Sequence, residues 1–568
     1  MKRTMKAASG TPSSSFKWAL LSVLSAGLIA ACSAPDGKGS DGTDDDGGTG
    51  GTGDDSGGDG DIMIDDVDRS ETCAESKDAF AGLRRLTAVE FEASVQGIFP
   101  EIAEKWAGVS MGDDRVGYSG FKNDSRSLLM GPQSAEEVYR TALDVASLIT
   151  SADFVNQILP CSADAADAAC VGTFVDTYGS RLFRRGLDET ERAEFVAYYE
   201  SVAGRSDFSM GLKWTIVTML QSPFFVYRSE LGDDAGKLTP GEIATQLSYV
   251  FTGQPPSAEL IARAEGGEFA DANARVSEAK KMLATPEGKE ILEEFFRQWS
   301  GYLAVRTASK EGVEDFNDIR ESMAIETRMF FSDVVFEAGG GVGDLLTSPK
   351  TFIDPLLAGH YGYGASADGF EPYDKQPTQG VGVLGQGSIL SAMSHPDLTS
   401  PVFRGLFVFE KLLCGIKPPV PKNVPGISEA METNTTREKF ELAHGTEPCK
   451  ACHAVFEPFG FGMEDFDAVG RYRSEENTFP INAAATGPLP GSGEIAFNGL
   501  EDLAQKLAGE ERVTNCVSGQ LASYAYSGGG GEACLAEVER ASLLRGEIGI
   551  LDYFAQLAAA PSMVQRRR

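Results

Sequence analysis

The sequence predicts a mainly helical protein in which several helical domains precede a specialised domain near the C-terminus. Apolar residues recur at helical spacing, as in Phe91, Val95 and Ile98. Thr87 and Asp188 stand where N-cap residues are expected, directly before such stretches. Gly and Pro are frequent in the segments between them. About 500 residues follow the N-terminal leader and linker, enough for several domains with cores of their own.

The N-terminus has the features of an export signal. Lys2, Arg3 and Lys6 are followed by Trp18–Ala31, an apolar run too short to span a bilayer. The run ends directly before Cys32 in a pattern that resembles a bacterial lipobox. We therefore expect residues 1–31 to be a lipoprotein signal peptide.

Cleavage before Cys32 would leave a diacylglycerol group on its sulfur and anchor the chain in membrane lipid. Ser33 replaces the Asp that retains some lipoproteins in the inner membrane. We expect an outer-membrane lipoprotein that faces the periplasm or the cell surface. The alternative is an ordinary secreted protein with an incidental Cys32.

Residues 32–70 are an acidic tether rich in Gly and Asp. Such a segment cannot bury enough apolar surface to fold, and its like charges extend it. Weak calcium binding by Asp59, Asp61, Asp65 and Asp66 is the alternative to a solvated linker.

The chain is strongly acidic. The precursor has a net charge of −34, and removing the four positive charges of residues 1–31 gives −38. This charge disfavours nucleic acid as a partner and favours a basic partner protein.

The helical body divides into five predicted domains. The third contains apolar stripes around Ile243, Leu292 and Trp299 that we interpret as core. Residues Ser366 to Gly380 are predicted to be an interdomain loop. The domains are an N-terminal helical domain (71–150), a second (151–235), a third (236–365), a domain at 378–475 and a C-terminal helical domain (476–568).

The fourth domain carries the chemistry, in Cys449-Lys450-Ala451-Cys452-His453. CxxCH is the attachment pattern of c-type haem, in which both thiols bond to vinyl groups and the His binds iron. The spacing predicts one covalent haem c per chain on Cys449 and Cys452, with His453 as proximal ligand. The alternatives are a CxxC disulfide and part of a zinc site.

Motifs around this pattern carry a resemblance to a known family. Pro401-Val402-Phe403-Arg404-Gly405 precedes CxxCH, and the Gly- and Phe-rich segment Gly460–Arg473 follows it. The chain resembles the planctomycete surface-domain proteins, which combine domains of unknown function 1587, 1595, 1592, 1588 and 1585. The resemblance implies that residues 378–475 form a cytochrome-c-like haem domain. Weaker counterparts are Leu83–Thr87, Phe183–Leu187, Gln246–Tyr249, His360–Gly362 and Gly499–Ala525.

Several residues are candidates for completing the haem site. Met463, where the family often has Leu, and His444, where it often has His, are rival sixth ligands of the iron. For Met463 the favoured alternative is an apolar contact on the haem face. Arg404, Arg471 and Arg473 could bind the propionates, and structural ion pairs are the alternative for each. We interpret His360 and His395 as structural residues.

The cysteine count fits an oxidising compartment. Of nine cysteines, Cys32, Cys449 and Cys452 are assigned to lipid and haem, which leaves six for three disulfides. Proximity favours Cys161–Cys170 and Cys516–Cys534, leaving Cys73–Cys414, although other pairings remain open.

Among other catalytic patterns, the sequence contains no P-loop and no HExxH motif, and Gly387-Ser388 lacks the GxSxG elbow. Glu464, Asp465 and Asp467 could form a carboxylate pair for glycoside hydrolysis, but ion pairs with Arg471 and Arg473 are the favoured interpretation.

Two functions remain. The first is a membrane-anchored, exported c-type haem protein for electron transfer, or a haem-dependent oxidoreductase component, in a periplasmic or surface redox system. The second is a non-catalytic surface or binding protein in which CxxCH is a disulfide or zinc site.

Overall fold

The computed structural model describes residues 83–109, 111–164, 166–364, 368–419, 435–491, 493–528 and 546–566. These residues are mainly helical, as predicted. Cys32, Cys73 and Cys534 lie outside the described residues, and so do the predicted signal peptide, lipobox and tether.

A first group of helices surrounds one hydrophobic core that includes Phe91 and Phe174. The predicted caps are confirmed: Thr87 and Asp188 each begin a helix with a capping box, in which a Glu three residues later bonds back to the cap. The helices of this group are α1 (Ala88–Ile98), α2 (Pro132–Ile149), α3 (Val155–Ile158), α4 (Ala168–Phe183), α5 (Glu189–Ala203), α6 (Phe208–Leu220) and α7 (Pro223–Val226).

The following helices surround a second, larger core. The apolar stripes predicted from Ile243, Leu292 and Trp299 all lie in it. Its helices are α8 (Pro240–Thr252), α9 (Ala258–Glu265), α10 (Ala272–Leu283), α11 (Pro286–Ser300), α12 (Phe316–Ser332), α13 (Val342–Thr347), α14 (Pro355–Tyr361), α15 (Gly387–Ala392), α16 (Pro401–Phe407), α17 (Thr436–His444), α18 (Cys449–His453), α19 (Glu457–Phe461), α20 (Leu500–Ala508), α21 (Glu511–Ala525) and α22 (Ile550–Gln556).

The five predicted segments thus contribute to two cores. Segments 71–150 and 151–235 supply most of the first core. Segments 236–365, 378–475 and 476–568 share the second. The CxxCH segment therefore belongs to a large common body.

Four two-stranded antiparallel sheets accompany the helices in the described part of the chain. The first joins residues far apart in sequence, because Arg84 pairs with Arg228. The strands are β1 (Arg84–Arg85), β2 (Tyr227–Arg228), β3 (Lys350–Ile353), β4 (Glu371–Asp374), β5 (Glu475–Glu476), β6 (Phe479–Pro480), β7 (Ala484–Pro488) and β8 (Glu494–Asn498).

The prediction of an interdomain loop over Ser366–Gly380 is wrong in part. Residues Glu371–Asp374 form β4, which pairs with β3 in the register Ile353 opposite Glu371. Short strands with a Pro inside give little periodic signal, so their pairing depends on a distant partner.

Two disulfides lie in the described residues. Cys161–Cys170 is confirmed. The prediction of Cys516–Cys534 is wrong, and so is the remainder pairing Cys73–Cys414, because Cys414 bonds to Cys516 across 102 residues. Sequence proximity failed here because α21 packs against the helical turn that follows α16, which brings the two thiols together.

Among the described residues, no helix combines the length and the apolar character that a membrane span requires.

Candidate metal centre

The CxxCH segment is itself a short helix, α18. Residues three and four positions apart lie on one helical face, so Cys449, Cys452 and His453 share a face. Both cysteines are free thiols of intermediate exposure, whereas the other cysteines of the described chain are paired. The thiols are therefore available for chemistry that a disulfide would preclude.

His453 lies in a compact group with His444 and Glu457, which we name the histidine cluster. The Nδ1 atom of His453 is 2.8 Å from Oε1 of Glu457, and Nδ1 of His444 donates to the same oxygen. The two imidazole rings stack with their centroids 3.6 Å apart. The ligand atoms of all three residues lie within 4.8 Å of one another, a separation at which they could share a metal ion.

The cluster is largely shielded from water. The exposed fractions of the side chains are 21% for His453, 13% for His444 and 6% for Glu457. Aromatic rings of Phe440 and Phe456 flank the two imidazoles. Aromatic walls of this kind are suited to a flat, apolar cofactor, and they strengthen the hydrogen bonds within the site because they lower the local dielectric constant.

Helix α17 ends at His444, and several hydrogen bonds fix its N-terminal turn. Thr435 caps its N-terminus, and Thr436 donates to the Glu476 carboxylate from both its backbone and its hydroxyl. Arg437 binds the carbonyl oxygens of Asn482 and Ala484 on the adjoining hairpin. These contacts hold the N-terminal turn of α17, and the helix places His444 at its other end.

Helix α19 begins with Glu457 and packs against α16 at unusually short range. A Cβ atom on Gly460 would lie 2.0 Å from the carbonyl oxygen of Pro401, and one on Gly405 would lie 2.1 Å from that of Phe456. Only glycine allows the two backbones to approach so closely. The glycines of both flanking motifs therefore position the turn that carries Glu457.

Arg404 is buried beside the segment that follows α19 and binds its backbone. Its guanidinium is 1% exposed and donates to the backbone oxygens of Met463, Phe466, Asp467 and Leu390. Burial lowers its pKa to about 10. Arg404 also donates to the Ser394 hydroxyl and lies within ion-pair distance of Glu464. Its predicted role toward a haem propionate stays a prediction.

The acidic residues after the motif are held within the protein. Glu464 binds Thr399 and Arg473, and Asp467 binds Arg471, which agrees with the favoured ion-pair interpretation. Burial raises the pKa of Asp465 to about 6, since its main compensation is one backbone N–H from Leu500. We use the name buried frame for Thr399, Arg404, Glu464 and Arg473.

The donor set fits c-type haem on one side of the iron. Both thiols are free, and because Nδ1 of His453 is bound to Glu457, Nε2 is the nitrogen left for iron. His444 does not fit as the ligand on the other side of a haem. Its ring stacks on that of His453 with the centroids 3.6 Å apart, and this gap is too small for a macrocycle. In this arrangement His444 lies beside His453 and not across an iron from it.

The remaining candidate ligands are placed as follows. Met463 is 2% exposed and packs in the second core, where its role as a sulfur ligand stays a prediction. Nε2 of His360 hydrogen-bonds the Val469 carbonyl, and the backbone N–H of His395 donates to the carbonyl of Leu398, as expected for structural residues. Burial lowers the pKa of both imidazoles.

Glu457 is the residue that the sequence reasoning missed. Its signal was present, because it lies four residues after His453, a spacing that places acid and imidazole on one side of a helix.

A separate cavity of about 610 Å³ is lined by parts of α1, α8, α11 and α21. Its charged walls pair with each other, as in Arg84 with Glu90 and Lys122 with Asp113. None of the histidine cluster lines it.

Comparison with known proteins finds three family matches along the chain. Residues 170–230, 238–363 and 380–476 match family models that are each described as a protein of unknown function, DUF1595, DUF1592 and DUF1588 respectively. No curated protein and no solved structure matches. The last match contains both the buried frame and the histidine cluster. The order of the three matches is that of the resembled proteins, and the chain therefore belongs to the planctomycete-type family of multidomain proteins built from these domains.

Proposed function

We propose that this protein is an exported c-type haem protein that transfers electrons. The observation that carries the proposal is the set of two free thiols and His453 on one face of α18, with Nδ1 of His453 bound to buried Glu457. Haem bound there would supply one-electron redox chemistry at its iron.

Each residue of the site has a defined task. Cys449 and Cys452 hold the cofactor through two thioether bonds, so that it cannot dissociate. His453 binds iron through Nε2 and sets the orientation of the site. The Phe440 and Phe456 rings beside the imidazoles limit the access of water, which affects the reduction potential.

The charge of the protein supports a docking partner of opposite sign. The net charge of −34 in the full chain, and of −38 after removal of residues 1–31, would attract a basic redox protein at long range and accelerate its encounter. A single haem moves one electron at a time, so the protein would pass electrons on to such a partner or serve as a component of an oxidoreductase.

Expression in a host with c-type maturation machinery tests the proposal. The wild-type protein should keep a haem absorbance band after denaturation, and the Cys449→Ser/Cys452→Ser variant should lose it. Lys450→Ala, an exposed change inside the same motif, is the matched control and should keep it. Stoichiometric zinc or a Cys449–Cys452 disulfide in the wild type, without haem, would favour the non-catalytic binding protein instead.

We also propose that lipid on Cys32 anchors the protein in the outer membrane. The support is the lipobox-like sequence, the absence of Asp at residue 33 and the acidic tether that follows. Mass spectrometry of the mature N-terminus should find diacylglycerol on Cys32, and Cys32→Ala should release the protein from the membrane fraction. A mature chain that begins elsewhere would contradict the proposal.

A further inference from the structure

The carboxylate of Glu457 is unusual because two imidazoles share one of its oxygens. His453 and His444 both direct Nδ1 at Oε1, and the described hydrogen bonds of this side chain are these two. The side chain of Glu457 is 6% exposed, so water offers little competition for its oxygens. A buried carboxylate with two N–H partners interacts strongly with both.

We propose that Glu457 is the positioning residue of the proximal ligand, and that His444 adjusts its strength from the same side of the iron. The proposal rests on the proposed function, since it describes how the haem ligand His453 is held. In this proposal His444 is a second hydrogen-bond donor to the Glu457 carboxylate and is not a ligand of the iron.

The first step of the argument concerns His453. An imidazole that donates Nδ1–H to a carboxylate is fixed in one tautomer, with its Nε2 lone pair free for a metal. The carboxylate also draws the Nδ1 proton toward itself, which makes the ring a stronger donor of electron density. A stronger donor stabilises ferric over ferrous iron and lowers the reduction potential.

The second step concerns His444. Its N–H bond to the same oxygen takes part of the negative charge that His453 would otherwise receive. Its ring stacks on that of His453 at 3.6 Å, a distance that leaves no space for a macrocycle between them. His444 therefore weakens the effect of Glu457 on His453 without reaching the opposite face of the haem.

The proposal predicts shifts of opposite sign from two substitutions. Glu457→Gln keeps an oxygen acceptor but removes its charge, so the reduction potential of the haem protein should rise. His444→Ala returns the full carboxylate to His453, so the potential should fall while the spin state and the visible bands stay as in the wild type. Glu447→Gln removes an exposed charge near the motif and should leave the potential unchanged.

The experiment is a spectroelectrochemical titration of the full-length haem protein and these three variants. An unchanged potential in Glu457→Gln would overturn the positioning role of Glu457. A change of His444→Ala to a high-spin spectrum would show that His444 is an iron ligand, and would overturn its assignment here.

A second measurement separates this inference from the proposed function. Haem-free, full-length protein with ¹⁵N-labelled histidine should show His453 protonated at Nδ1 and unprotonated at Nε2, and Glu457→Ala should abolish that preference. If the wild type never acquires haem, the proposed function fails, but a fixed tautomer would still support the positioning role. A mixed tautomer in the wild type would refute it.

Discussion

The buried frame and the histidine cluster lie in the same domain and yet differ in almost every physical respect. In the frame, Arg404 and Glu464 are 1% exposed and bound to backbone carbonyls and neighbouring side chains. In the cluster, the two imidazoles use one nitrogen each on a shared carboxylate, and the nearby thiols of Cys449 and Cys452 are not in a disulfide. The motifs around CxxCH therefore contain two kinds of residue. Some, such as Arg404 and Glu464, stabilise the fold, and others, such as His453 and the two cysteines, keep groups that could bind a cofactor.

This difference predicts the largest effect for Arg404→Ala. The change leaves several buried carbonyl oxygens without donors and leaves Glu464 with less compensating charge. The free energy of unfolding should fall by about 3–5 kcal/mol, as found when one partner of a buried charge network is removed. Urea denaturation followed by far-UV circular dichroism measures the loss.

Two matched variants sharpen that result. Arg471→Ala removes an ion pair on the surface side of the same segment and should cost less than about 1 kcal/mol. His453→Ala should cost no more than about 1 kcal/mol, since Glu457 keeps His444 as a partner. A loss with His453→Ala as large as that with Arg404→Ala would remove the distinction between frame and cluster.

The second prediction concerns the close contact of α16 with α19. Gly460→Ala places a methyl group 2.0 Å from the Pro401 carbonyl oxygen, so the helices must separate, and the protein should lose about 3 kcal/mol of stability. Gly519→Ala in α21 is the control, because its methyl group would meet nothing within 4 Å. That variant should gain about 0.5–1 kcal/mol in the same urea assay. Equal stability of the two variants would show that the contact is not tight.

A smaller effect than those of Arg404→Ala and Gly460→Ala is expected from Asp465→Asn, and it depends on pH. The folded pKa of Asp465 is raised to about 6 from 3.8, so burial of its charge destabilises the protein fully above pH 6. Below pH 3.8 the carboxyl is protonated in both states and the cost disappears. Asp465→Asn should therefore stabilise by about 1–3 kcal/mol at pH 7 and by little near pH 4. Thermal melts at several pH values measure the gain. An equal gain in stability at pH 7 and near pH 4 would contradict the raised pKa.

The sequence predicted the helices well where their ends carry a strong local signal. The caps Thr87 and Asp188 and the apolar stripe of α8 are properties of a few neighbouring residues, and all are confirmed. The Cys161–Cys170 disulfide also closes a short span.

What the sequence did not reveal depends on partners distant along the chain. Cys414 meets Cys516 only after α21 has packed, and β4 forms only against β3. The sequence around Arg404 does not distinguish a haem propionate from the backbone carbonyls of a turn as the partner of its guanidinium. Glu457 had a local signal in its spacing from His453, but the shared bond to His444 requires α17 to be in place.

The most direct test of the account is the mass of the peptide that contains Cys449 and Cys452, taken from protein made with c-type maturation machinery. The account predicts that this peptide carries one haem group through both sulfurs, and that the Arg404-containing peptide carries none. Unmodified thiols or a disulfide in the CxxCH peptide of that protein would contradict it.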